Sequence, residues 1–148
     1  MKIKTSFIII IYFLMLTNCS LDNDQTNDYD QVFKQEWHLV GIEGGLSETS
    51  ETFDLEVIIW SFDDNNNLLT VNNNNNDDTK EDFLDSGTYS YDIIEESGNK
   101  FFAFNGIEYG QYTFLSTDVL VVDGNKLSTG TGADGFVYTF NRVLIPID

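Results

Sequence analysis

The chain has 148 residues, 25 acidic against 7 basic, for a formal net charge of −18. That length holds one domain with a sizeable core. So negative a surface repels phosphate backbones, which excludes nucleic acid as a partner.

The order of the chain begins with an address. Lys2 and Lys4 form a short positive region, and Phe7 to Leu16 is an unbroken apolar run of ten residues. A helix needs roughly 20 residues to span a bilayer, so the run has the size and flanks of a signal-peptide core, and residues 1–18 are expected to be removed. It ends in Leu16-Thr17-Asn18 and then Cys19, the single cysteine of the chain. This arrangement resembles the lipobox of bacterial lipoproteins, and the resemblance implies a diacylglyceryl thioether and an N-acyl chain on Cys19. Two or more acyl chains give stable anchoring where one is marginal. Acylation would also remove a thiol that has no partner for a disulfide. The implied residence is the bacterial outer membrane, with Cys19 as the membrane contact.

Both basic residues of the signal leave with it, so the remainder, Cys19 to Asp148, carries 25 acidic and five basic residues. Residues 19–34 read as an acidic, flexible tether, because Ser20 to Asp30 has almost nothing to bury. An acidic stretch after the lipid cysteine resembles the surface-export signals of Bacteroidetes-group lipoproteins, which implies exposure at the cell surface.

Residues 35–148 show short apolar runs cut by turn residues, with no helical period. Eight runs are expected to be strands: Trp37–Ile42, Leu55–Phe62, Leu68–Asn72, Gly87–Ile94, Phe101–Phe104, Ile107–Leu115, Val119–Val122 and Phe136–Val143. Asn105-Gly106 is the strongest hairpin signal, since both residues tolerate positive φ. Pro146 is expected beyond the last strand, where it breaks no ladder. No link reads as a crossover helix. The expected fold is therefore all-β, a single antiparallel up-and-down barrel in which eight strands close and leave no edge. Tyr89, Tyr91 and Ile93 alternate with Thr88, Ser90 and Asp92, so the first set points inward, and Phe136, Tyr138, Phe140 and Arg142 share a face against Val137, Thr139 and Asn141. Leu55–Phe62 is apolar on both faces, and its inner face stays open.

Glu36-Trp37-His38-Leu39-Val40, Val57 to Phe62, Ser86 to Tyr91 and the closing Phe136 to Arg142 resemble the strands of bacterial lipocalin-like lipoproteins. The resemblance implies that Trp37 on the first strand packs beneath Arg142 on the last. Closure of a barrel brings those strands side by side, and an Arg over an indole contributes about 0.5–2 kcal/mol.

Chemistry-bearing motifs are weak. Gly130 to Gly135 has the spacing G-x-G-x-x-G, but a strand follows where a dinucleotide site needs a helix, so it reads as a hairpin loop. Asn72 to Asp82 reads as a solvated polar loop. His38 is the single histidine, and no cysteine remains to build a zinc site with it. No cofactor, metal set or catalytic triad is expected, and the chain reads as a binding module rather than an enzyme. The leading expectation is a pocket for a small hydrophobic or amphipathic molecule, lined by Tyr89, Tyr91, Tyr138 and Phe140. The alternative is a barrel filled by its own aromatics that binds another envelope protein. An interior cavity of about 300 Å³ or more favours the first.

Overall fold

Alternation of apolar and polar residues makes one face of each strand sticky, and closing the sheet buries every such face at once. The computed structural model describes residues 31–147, and within them the chain does this with eight antiparallel strands. The strands in chain order are β1 (Val32–Gly44), β2 (Thr49–Thr52), β3 (Ile58–Asp63), β4 (Leu68–Asn73), β5 (Gly87–Glu96), β6 (Asn99–Phe104), β7 (Ile107–Ser116), β8 (Val119–Asp123), β9 (Lys126–Leu127), β10 (Gly130–Thr131) and β11 (Phe136–Ile147). The barrel runs β1-β3-β4-β5-β6-β7-β8-β11 and closes by pairing β11 with β1. The expected signal segment 1–18 and the expected lipidation site Cys19 lie outside the described residues.

All eight expected strands are present. Two additions are polar and were silent in the apolar pattern. Strand β2, Thr-Ser-Glu-Thr, pairs with the far end of β1 from Gly41↔Thr52 to Gly44↔Thr49. Strands β9 and β10 form a two-residue ribbon inside the Gly-rich loop before β11. That loop leads directly into a strand, so no helix N-terminus stands behind its glycines.

The closing seam is the longest ladder, from Val32↔Ile147 to Gly44↔Phe136, with a bulge between Leu39 and Gly41. It changes two expectations. Strand β1 starts at Val32, ahead of the barrel boundary expected at Gln35, because the apolar Val32 and Phe33 find partners on β11. Pro146 lies inside β11, opposite Phe33. It is tolerated there because β8 pairs with β11 only from Val137 to Asn141, leaving one side of the strand's end open.

Turn chemistry matches the tight hairpins. Asn105 and Gly106 have φ of 50° and 78°, and Ser97 and Gly98 have 53° and 81°, so both two-residue links suit primed turns. On β3 the open question resolves: Ile58 and Trp60 are fully buried and Phe62 packs on the core, while Ile59 faces out. The outward face stays apolar because residues 53–56 fold over it. There Glu56 N–H donates to His38 Nδ1 at 2.9 Å, and His38 is buried although it stands on the outside of the barrel.

The strand directions give the barrel two unlike ends. One end carries the start of β1, the end of β11 and the short turns 64–67, 97–98 and 117–118. The other carries the long loops 45–57, 74–86 and 124–135. The 74–86 loop, expected to be solvated over its first part, instead turns back into the barrel. Leu84 joins the core and Phe83 stacks on Tyr138 with centroids 3.6 Å apart. Asn73 Nδ2 donates to the Leu84 carbonyl at 3.1 Å and pins the return. This loop plugs its end.

Candidate functional site

Side-chain size divides the interior. Towards the plugged end it is filled: Trp60 meets Phe140 at 4.5 Å, Phe83 at 4.9 Å and Phe104 at 5.3 Å between ring centroids. Towards the turn end the filling stops, and a cavity of about 360 Å³ opens there. Its walls are apolar and largely aromatic, chiefly Trp37, Phe62, Phe102, Phe114 and Leu120. The rings brace one another. Phe102 stacks on Tyr112 at 4.0 Å and on Phe62 at 5.5 Å, and Trp37 packs on Phe114 at 5.5 Å. Such contacts hold walls in place without needing a ligand.

Polar groups gather at the mouth. Lys34, Gln35 and Asp64 line it, and the Tyr91 hydroxyl donates to Asp64 Oδ1 at 2.7 Å. Burial first, and then the bond to the Asp64 carboxylate, push the Tyr91 phenol up to about 12. Burial likewise raises Tyr112. Both phenols are therefore neutral donors at neutral pH. An apolar chamber with a few polar groups at one end has the form of a site for an amphipathic molecule.

The four expected lining residues separate. Tyr91 stands on the cavity wall. Tyr89 packs beside the core and donates its hydroxyl to the Asp85 carbonyl at 2.9 Å, away from the cavity. Tyr138 is buried in the filled half, with its hydroxyl donating to Glu81 Oε1 at 3.3 Å. Phe140 is fully buried against Trp60. Sequence reasoning found the inward faces and missed the height. Phe62, Phe102, Tyr112, Phe114 and Leu120 line the chamber, and all of them except Phe102 stand nearer the turn end of their strands. Following strand direction from turn to turn could have found them.

Trp37 and Arg142 are partners in the β1–β11 register, as the resemblance implies. The expected contact between them is replaced by two others. Arg142 directs its fork to Asp118 Oδ1, from Nη2 at 2.6 Å and Nε at 3.0 Å, while the Trp37 ring meets Phe114. A charge-assisted bond to a carboxylate outweighs a ring face, and the 117–118 turn supplies that carboxylate. Arg142 holds Asp118 below the usual carboxylate range. The pair thus ties the β7–β8 turn to the seam beside the cavity mouth.

Among the described residues, no group of three or more His, Cys, Asp or Glu could hold a metal ion. His38 stands away from the cavity on the outer face, where its Nε2 lies 3.6 Å from Glu36 Oε2. Comparison of the chain with protein-family models, with curated proteins and with solved structures finds no match.

Proposed function

We propose that this chain is an envelope lipoprotein, acylated on Cys19 and held at the bacterial outer membrane, whose barrel binds one small hydrophobic or amphipathic molecule without catalysing a reaction. The cavity carries the reading. It exceeds the roughly 300 Å³ at which ligand pockets begin, and it combines aromatic walls with phenol, amide, ammonium and carboxylate groups at its mouth. Such walls would hold the apolar body of a ligand, and Tyr91, Gln35 and Lys34 would meet its polar end. The acidic stretch after Cys19 adds exposure at the cell surface to the proposal.

Native mass spectrometry of the mature chain, carrying Cys19→Ser and purified from its source cells without detergent, tests the pocket. The expected result is an added mass that is lost on denaturation and is absent from Leu120→Trp, which fills the chamber. A clean apo mass would return the chain to the alternative, a lipoprotein that binds another envelope protein. The anchor has its own test: Cys19→Ala should abolish lipid labelling, and a mutant that still carries acyl chains refutes it.

A further inference from the structure

Eleven large apolar side chains are exposed among the described residues, and eight of them stand at the turn end around the cavity mouth. They are not scattered. Beyond the last pairing to β3 and β8, residues 32–36 of β1 and 143–147 of β11 pair only with each other. They form a two-stranded ribbon that projects past the barrel wall. Phe33 and Leu144 share one face of it, and Val32 and Ile147 the other. Phe114 and Leu115, 54% and 69% exposed, continue the apolar rim on β7. A monomer in water seldom keeps so continuous an apolar edge without use for it.

We propose that this collar seats on the surface of a lipid bilayer, so that the cavity opens against lipid rather than bulk water. Three observations favour a bilayer. First, Val32 follows Cys19 by thirteen residues. Thirteen residues reach at most about 45 Å even when fully extended, so an acylated Cys19 keeps the collar within reach of the membrane. Second, the collar is drawn from β1, β5, β7 and β11 and surrounds an opening, which suits a broad surface better than a single strand partner. Third, the charge is unevenly placed. The three long loops at the far end hold ten acidic residues, whereas the three turns at the collar end hold two, Asp64 and Asp118, the second of them paired with Arg142. The least negative end therefore faces the lipid. The ribbon has unpaired backbone edges, which confines it to the hydrated interface and away from the hydrocarbon core.

The inference rests on the anchored reading for the nearness of the membrane, and its test omits the anchor. The mature chain with Cys19→Ser is mixed with neutral phosphatidylcholine vesicles and floated on a density gradient. The expected result is that it floats with the vesicles, that Phe33→Ser with Leu144→Ser lowers its partition by about tenfold or more, and that Leu46→Ser at the opposite end leaves it unchanged. Melting by circular dichroism confirms that each variant is folded, and Leu115→Ser replaces the double variant if that one is not. Failure to float, or equal loss on Leu46→Ser, overturns the proposal. So does a dimer of the unlipidated chain that the collar substitutions dissolve, since the collar would then join two copies. Failure of the anchor would appear separately, in lipid labelling of the wild-type chain.

Discussion

Tyr91 joins structure and chemistry at one atom. Its ring belongs to the cavity wall, and its hydroxyl donates to Asp64 at the mouth. Because the folded chain raises its pKa to about 12 from the ordinary 10, the neutral phenol is the form that folding favours. Its contribution to stability is complete below about pH 10 and is lost as pH climbs from there towards 12. In an ultraviolet titration, Tyr91→Phe should remove one late tyrosinate step, and Asp64→Asn should move that step to lower pH. An unchanged step in Asp64→Asn would show that burial alone holds the proton. Gly110 illustrates a different constraint. Its φ of 147° and the Asp123 carbonyl beside its Cα leave no room for a Cβ. Only glycine lets β7 pass there.

At the scale of elements, the 74–86 loop is the piece with the least warning in the sequence. It lies in a polar run, Asn-rich and acidic, with only Phe83 and Leu84 to bury. Phe83 takes a φ of 72°, unusual for so large a residue. Its contacts with Trp60, Tyr109 and Tyr138 must over-determine that conformation. Phe83→Ala should therefore cost about 2–4 kcal/mol, read from the midpoint of urea unfolding with an unchanged slope. A loss under about 0.5 kcal/mol would mean that the plug is a passive cover. Strand β2 escaped notice for a related reason. Thr49–Thr52 has no apolar residue, so its pairing with β1 leaves no mark in the hydrophobic pattern. By contrast, β5 and the first part of β11 were legible, because Tyr89 and Tyr91 alternate with Thr88, Ser90 and Asp92, and Tyr138 and Phe140 with Thr139 and Asn141, although β11 runs on past Val143 to Ile147.

For the whole molecule, the number of strands and their antiparallel order followed from apolar runs separated by turn residues. The site did not. Which inward residues meet depends on how far each ladder is staggered, as where Leu68 at the start of β4 pairs with Ser90, well into β5. No local pattern encodes that stagger. Charge acts at this scale too. With 25 acidic residues against five basic ones from Cys19 onward, self-repulsion opposes the compact state. Raising salt from about 0.01 M to about 1 M shortens the screening length from roughly 30 Å to roughly 3 Å. The melting temperature should rise over that range. A fall would show that ion pairs such as Arg142–Asp118 outweigh the repulsion.

The plug carries a last consequence. With Phe83 and Leu84 closing one end, the barrel is a cup, and a cup is filled and emptied over the same lip. Uptake and release of the proposed ligand would then share one doorway, so whatever the lip touches would set the rate of both. Loosening the base would add a back door and uncouple the two.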